Sequence, residues 1–373
     1  MILLFLFILI FIAYSILILF FWQSWNSIPA PLLTTDSDEH DTAISVIVPA
    51  RNEEGRIGNL LRALESQTYP RHLFEIIVID DDSTDKTTEI VLQFPGVKLL
   101  QLKENEINSY KKKAIETGIA AAANELIVTT DADCIPTAEW LQSIVSFREE
   151  TKAGFIVAPV SFSCNSNPVE VFQAMDFMVL QGITGASVYK KMLSMCNGAN
   201  LAYEKKLFTE VSGFAGIDHI ASGDDMLLMH KIAKKFPERI RYLKSKDAIV
   251  STRPMPTWKQ FFNQRIRWAS KATYYDDKKI IGILLLVYLF NFSFLILLIA
   301  GFWNSFYWII FLIGWAVKTL VELPFFYAVA TFFNNQWAMK FFFVFQPLHI
   351  FYTIFSGLLG QFGKYEWKGR TVS

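Results

Sequence analysis

A chain of 373 residues has enough surface to bury one large or two ordinary domains, and 35 Lys plus Arg against 35 Asp plus Glu leave no overall charge that argues for nucleic acid or an acidic partner. With 52% hydrophobic residues, 34 phenylalanines and a mean hydropathy of +0.30, the composition is too apolar for an ordinary soluble enzyme, and the apolar residues concentrate at the two ends. Cys134, Cys164 and Cys196 lack C-x-x-C spacing, which excludes a disulfide framework and a zinc site and fits a reduced, cytosolic middle domain.

Residues 1–25 read as a transmembrane helix, because Ile2 to Trp22 carries no charge and about 20 apolar residues cross the hydrocarbon core. The rival, a signal peptide, lacks both a basic stretch ahead and a small-x-small site behind. Trp22 and Trp25 suit the interfacial belt. Residues 26–43, with prolines, threonines and four acids but no lysine or arginine, read as a linker.

Ile44 to Pro49 is a buried-type strand, and Ile57, Leu60, Leu61 and Leu64 follow at helical spacing, the opening of a βαβ unit. A second strand, Glu75 to Ile79, ends in Asp80-Asp81-Asp82-Ser83-Thr84-Asp85. There, Ser83, Thr84 or Asp85 caps the next helix, or the earlier aspartates hydrogen-bond a base or ribose. No glycine-rich loop follows either strand, against a dinucleotide fold or a P-loop. Val97 to Leu102 is a third strand. The helix over 108–123 opens on Lys111-Lys112-Lys113, either a solvated face or cations held against the helix dipole to meet an anion.

The run Leu126 to Asp133 reads as a short apolar strand that delivers Asp131 and Asp133 at its carboxyl end. Alternation along an extended chain sends both carboxylates one way and Ala132 the other, so they can share a divalent cation; the alternative is a strand end closed by turn-forming aspartates. A helix over 138–147, a strand-like stretch over 154–160 and a helix over 168–189 follow. Asn197 to Tyr203 is a turn and short strand, and Ser222 to Leu228 opens a helix for which Asp224 and Asp225 are caps or something more.

From Arg253 to Lys279, basic residues interleave with Trp258, Phe261, Phe262, Ile266, Trp268 and Tyr274, the pattern of an amphipathic helix on an anionic membrane face. Apolar stretches then run over 280–303, 306–333 and 341–362. The second holds Lys318 and Glu322 one helical turn apart, with Pro324 as a kink, while Pro347 and His349 make the third a span or a re-entrant element. Basic residues before Ile280 place the middle domain on the cytoplasmic side. The tail over 364–373, with Lys364, Lys368 and Arg370, favours that side too, which one span before the domain and three after it do not allow; a third segment outside the membrane would reconcile the two.

Together these residues resemble the family 2 glycosyltransferases, and specifically the membrane-bound branch with cellulose, chitin and hyaluronan synthases and ceramide glucosyltransferase. The resemblance runs from about Ile44 to Trp268 in ordered parts: Val48-Pro49-Ala50-Arg51-Asn52-Glu53, the Asp80–Asp85 cluster, Asp131-Ala132-Asp133, Asp224-Asp225, and Gln264-Arg265-Ile266-Arg267-Trp268, which fits Q-x-x-R-W. It implies an α/β GT-A domain over 44–252 with transmembrane helices at both ends, an interface helix region over 253–279 and a C-terminal membrane domain over 280–363. It also implies a nucleotide-sugar donor and Mg²⁺ or Mn²⁺. On this resemblance Pro49, Ala50, Glu53 and Asp81 contact uridine or ribose, and Lys111 approaches the nucleotide. Asp131 and Asp133 carry the diphosphate and its metal, and the pair Asp224-Asp225 is catalytic, with Asp225 the base. Two departures stand out: Ala114-Ile115-Glu116-Thr117-Gly118 replaces the family's A-L-N-x-G, and Gly223-Asp224 replaces the Thr-Glu that commonly precedes the base.

The chemistry needs the same parts. Inverting transfer requires a base for the acceptor hydroxyl, the place of Asp225, and a charge sink for the leaving diphosphate. Arg267 offers a planar fork to phosphate oxygens, and Gln264 and Trp268 border the acceptor path; the alternative for Arg267 and Trp268 is a snorkelling and belt pair. The expectation is therefore an integral membrane enzyme that moves a sugar from a UDP-sugar to a lipid, lipid-linked or glycan acceptor at the cytoplasmic face. The alternatives are a processive polysaccharide synthase and a non-catalytic nucleotide-binding membrane subunit.

Overall fold

The computed structural model describes residues 2–31, 41–102, 109–164, 167–192, 195–220, 222–270, 277–361, 365–367 and 370–372. Residues 32–40 of the linker, 103–108 ahead of the lysine run, 271–276 of the basic stretch, and Lys364 and Lys368 of the tail lie outside them. The chain divides into two compact units, one of residues 1–27, 164–186 and 254–365, the other of residues 28–163, 187–253 and 366–373.

The elements begin with α1 (Ile2–Asn26), β1 (Ile44–Ala50), α2 (Ile57–Glu65), β2 (Phe74–Asp80), α3 (Thr87–Val91), β3 (Val97–Gln101), α4 (Tyr110–Ala121) and β4 (Leu126–Thr129). They continue with β5 (Ile135–Pro136), α5 (Trp140–Thr151), β6 (Phe155–Val157), β7 (Val160–Phe162), α6 (Pro168–Tyr189), β8 (Leu201–Glu204), α7 (Lys205–Glu210) and α8 (Met226–Lys235). β9 (Ile240–Tyr242), β10 (Val250–Thr252), α9 (Trp258–Ser270), α10 (Lys278–Ala300), α11 (Phe306–Phe332) and α12 (Met339–Leu359) follow.

In the α/β unit a seven-stranded sheet has the order β3-β2-β1-β4-β8-β6-β9, and β5-β10-β7 form a second, smaller sheet. The strands β3, β2, β1 and β4 run parallel, and β8 is antiparallel to its neighbours β4 and β6. Ile44, Val46, Ile47 and Val48 of β1 are fully buried, which is why that strand reads as a continuous apolar run rather than an alternation. On one face α4 lies close enough to β1 and β2 that a Cβ on Gly118 would stand 2.7 Å from both the Ile47 and the Ile79 side chains.

The strand-like stretch 154–160 is two strands that serve different sheets. β6 ends at Val157 and β7 starts at Val160, because Pro159 has no N–H to continue a ladder. Its carbonyl instead accepts from Val250 N–H and from the Asn200 side chain. The buried Asn200 also donates to the Ala248 carbonyl and accepts from Trp140 Nε1 at 2.9 Å.

In the helical unit, four helices are long and apolar enough to cross a membrane: Ile2–Asn26, Lys278–Ala300, Phe306–Phe332 and Gln336–Leu359. Their outward faces expose large apolar side chains, among them Phe5, Leu9, Leu285, Ile309 and Leu320, as expected of surfaces that meet hydrocarbon rather than water. The third C-terminal stretch is one helical run through Pro347, of a span's length. In the basic stretch from Arg253, α9 starts at Trp258, because Pro254 and Pro256 disfavour helix before Thr257, and Lys278 and Lys279 begin α10; residues 271–276 between them lie outside the described residues.

A side chain at Gly118 must displace two fully buried isoleucines. We expect Gly118→Val to destabilise the full chain in detergent by about 1–3 kcal/mol, seen as a lower apparent unfolding temperature. Gly55→Ala, where a Cβ meets nothing within 4 Å, is the matched control and should leave that temperature unchanged.

Candidate active site

Parallel pairing puts Ala50 opposite Asp80, so the loops that leave β1 and β2 emerge side by side at the carboxyl edge of the sheet, where open α/β sheets hold ligands. Pro49 and Ala50 end β1. The buried Glu53 donates its N–H to Thr87 Oγ1 at 2.7 Å, and Asp81 N–H donates to the Ala50 carbonyl at 2.8 Å. Arg51 donates to the carbonyls of Asp81 and Asp82, while Asn52 binds both Ser83 and Thr84. Both Asn52 and Asp82 take left-handed conformations, with φ of 51° and 52°, to bring the two loops together.

The N-cap of α3 is Lys86, which makes no side-chain cap, while Asp85 just ahead of it accepts N–H bonds from Thr87 and Glu54 at 3.0 Å each. Burial would raise its carboxyl, but the hydrogen bonds from the Thr87 hydroxyl and from backbone N–H groups outweigh that and hold it below the usual carboxylate range. Asp80 accepts from Ser83 N–H at 3.2 Å through Oδ2, while its Oδ1 is buried without a hydrogen-bond partner among the described residues.

Asp131 and Asp133 do come together, though not by strand alternation. Pairing of β4 with β1 and with β8 ends at Thr129, and both aspartates lie in the turn beyond, closed by Cys134 N–H on the Asp131 carbonyl at 3.1 Å. Ligand atoms of Asp131, Asp133 and Cys134 all lie within 4.8 Å of one another. Burial first, and then the two neighbouring carboxylates, push the Cys134 thiol well above its ordinary value. Two carboxylates fit a hard divalent cation whose remaining ligands are phosphate oxygens and water.

The lysine run divides its roles. Lys113 stands 3.8 Å from Glu116 on the same helix. The buried Lys112 donates to the carbonyls of Ile217, Ile220 and Ser222 and so braces the loop ahead of Asp224. Lys111 Nζ lies 2.7 Å from Asp131 Oδ1 and 3.2 Å from Asp224 Oδ2, which ties the turn after β4 to the start of α8. Burial alone would lower the Lys111 ammonium; Asp131, Asp224 and Asp225 together reverse this and hold it well above the ordinary lysine range.

Asp225 is indeed the N-cap of α8. Its Oδ1 accepts Met226 N–H at 2.7 Å and its Oδ2 accepts Gly198 N–H at 3.2 Å, so the carboxylate is held by two backbone donors. Asp225 is partly exposed and Asp224 is buried.

Two residues of this cluster escaped the sequence reading. A Cβ on Gly198 would stand 2.9 Å from Asp224 Oδ2 and 3.4 Å from Lys111 Nζ, so glycine is required there; its only signal was an Asn-Gly turn. Arg56, which had no signal, lies 3.3 Å from Asp133 Oδ2 and 3.9 Å from Glu53 Oε2.

Gln264, Arg267 and Trp268 are on α9, in the helical unit. Within that motif Arg265 is buried and donates to Asp176 Oδ2 through Nε at 3.1 Å and Nη2 at 2.7 Å. Gln264 Oε1 accepts from Arg265, and the Arg265 guanidinium lies 4.2 Å above the Trp268 ring, so two of the residues expected to border an acceptor path hold Arg265 in place. Arg267 is partly buried, and its carbonyl accepts from Ser270 Oγ at 2.9 Å.

Comparison with known proteins finds that residues 45–212 match the family described as Glycosyl transferase family 2. The chain is similar to a protein named probable glycosyltransferase YdaM, from Bacillus subtilis strain 168, with 26% identity over 238 residues, 62% of this chain and 55% of that one. It is 29% identical over 117 residues to a beta-monoglucosyldiacylglycerol synthase of Nostoc, over 30% of this chain and 25% of that protein. The chain thus spans about half the length of the first relative and a quarter of the second. Among solved structures, the mannosyltransferase PcManGT of Pyrobaculum calidifontis, in complex with GDP-Man and Mn²⁺, is 21% identical with a TM-score of 0.60 over 88% of this chain and 97% of that one, which shows a shared fold.

Because Lys111 is the cation among these aspartates, Lys111→Met should weaken binding of nucleoside diphosphate about tenfold while Mn²⁺ affinity holds or tightens; paired titrations read both. The ammonium's contribution to folding is complete below the unfolded lysine value near 10.4 and is lost only as pH rises through the elevated folded value. Nucleotide affinity between about pH 7 and 10 should accordingly show no alkaline break that Lys111→Met removes.

Proposed function

We propose that this chain, whose residues 45–212 make up a glycosyl transferase family 2 domain with the GT-A fold, is a membrane-embedded inverting glycosyltransferase that moves a sugar from a UDP-sugar to a lipid or lipid-linked acceptor at the cytoplasmic membrane face. The observation that carries this reading is the meeting of the Asp131–Asp133 turn and the Asp224–Asp225 pair around Lys111.

Each residue then has one task. Pro49, Ala50, Glu53 and Asp81 line the carboxyl edge for the base and ribose, and the orphaned Asp80 Oδ1 offers a further acceptor there. Asp131 and Asp133 would hold Mg²⁺ or Mn²⁺, which when bound supplies positive charge for the diphosphate. Lys111 adds a second positive charge between Asp131 and Asp224. Asp225 takes the proton of the acceptor hydroxyl as its oxygen bonds to the anomeric carbon and the bond from that carbon to the diphosphate oxygen breaks, with the electron pair leaving on the nucleoside diphosphate. Asp224, buried and paired with Lys111, positions rather than reacts.

The four long apolar helices support a membrane setting, and the basic residues ahead of α10 support a cytoplasmic catalytic unit. The diacylglycerol in the name of the Nostoc relative supports a lipid acceptor.

Asp225→Asn keeps a side-chain oxygen for the Met226 N–H and removes the base. Transfer should fall about 10²–10⁴-fold while UDP-sugar binding persists; turnover at the normal rate in purified protein would overturn the assignment. Asp133→Ala should abolish the dependence of nucleotide binding on Mn²⁺. Equal UDP affinity of the variant and the unmodified chain in titrations with and without Mn²⁺ would refute the metal role.

A further inference from the structure

Within the helical unit, residues of α1, α6, α10, α11 and α12 line a partly open cavity of about 240 Å³. Most of its wall is apolar, with Phe172, Met175, Ile183, Val287, Phe325 and Phe342 among the residues that line it. Such a wall offers nothing to a sugar or a nucleotide and suits a hydrocarbon chain.

The polar groups on the wall fall into two sets. In one, the Tyr14 hydroxyl donates to Glu322, which pairs with Lys318 at 2.7 Å, and Gln346 bonds to both members of that pair. In the other, Asp176 accepts from Arg265 and from the Tyr352 hydroxyl, and His349 Nε2 lies 3.9 Å from Asp176 Oδ1. Each carboxylate is matched by a cation, Lys318 or Arg265, that is itself buried and does not line the cavity. Among the described residues no lysine or arginine lines the cavity to meet an anionic headgroup. One polar atom remains: His349 Nδ1 is buried with no hydrogen-bond partner among the described residues. Buried polar atoms are almost always paired, and a hydroxyl in the cavity pairs this one once the His349 side chain, about a third exposed, turns Nδ1 toward it.

We infer that this cavity binds a neutral lipid alcohol, of the diacylglycerol type, with an acyl chain on the apolar wall and a hydroxyl as the partner of His349. Occupancy by the lipid stands on the cavity alone; its identity as the acceptor class rests on the proposed glycosyltransferase activity. The charge balance of the wall sets the preference for a neutral headgroup over a phosphate-bearing one.

The test uses the full chain in nanodiscs, with a diacylglycerol that carries a photoreactive diazirine in one acyl chain and the phosphatidate with the same chain as the anionic comparator. The expected result is diacylglycerol adducts on residues of α6, α11 and α12 that line the cavity, about tenfold stronger than those of phosphatidate. Val287→Phe and Ile183→Phe, which fill the cavity from different helices, should each lower labelling about tenfold, and His349→Leu should abolish the preference for the hydroxyl headgroup. Binding of UDP with Mn²⁺ should remain in all three and reports that the α/β unit is intact.

Equal labelling by the two lipids, adducts mapped outside the cavity, or undiminished labelling in both filled variants would overturn the inference. Strong site-specific labelling without sugar transfer to diacylglycerol would leave the site standing and sink its assignment as the acceptor site. Transfer to diacylglycerol with no labelling at the cavity would do the reverse.

Discussion

One ammonium group holds the α/β unit's acidic cluster together. Asp131 comes from the turn after β4 and Asp224 from the start of α8, and without a cation between them the like charges would repel at short range. Lys111 resolves this from the first turn of α4, where the helix dipole alone would disfavour it. The carboxylates more than compensate, and one positive charge bridges Asp131 and Asp224. A second lysine, Lys112, fixes the loop that leads to Asp224 by donating to three carbonyls. Consecutive residues at one helix start thus set both the charge and the position of the pair at the head of α8.

Asp225 shows how a structural role and a chemical one can coincide. A cap holds the carboxylate by backbone N–H groups, which do not change rotamer and cost no side-chain entropy to position. Gly198 supplies one of those N–H groups and, having no side chain, leaves space for Asp224 and Lys111. A capping aspartate that is partly exposed and held by backbone donors is compatible with the proposed role as base, so the two readings of Asp225, cap and base, do not exclude each other.

The helical unit solves a different electrostatic problem. Charges among apolar helices are costly unless paired, and here each carboxylate on the cavity wall has its own cation behind it: Glu322 has Lys318, and Asp176 has Arg265. Aromatic packing locks the arrangement, with Arg265 between the Trp268 and Phe261 rings. The Q-x-x-R-W segment therefore contributes more than its named residues, since Arg265 within it is the side chain buried against Asp176.

Local pattern alone determined most of the architecture. Apolar runs marked β1, β2, β3 and β4, the 3.6-residue spacing marked α2, and uninterrupted apolar stretches marked the four long helices, because each signal depends only on neighbours along the chain. The residue types of the site were legible too, as aspartates at strand and helix ends. Tertiary structure decided which of them meet. Lys111 finds Asp131 across 20 residues and Asp224 across 113, Arg56 finds Asp133, Arg265 finds Asp176, and Gln346 joins Lys318 and Glu322. It also replaced strand alternation by a turn at Asp131–Asp133, since the ladder stops at Thr129. Periodicity reports which face of an element is buried, but the partner of a charge is set by chain segments far apart in sequence, and only the folded chain brings those together.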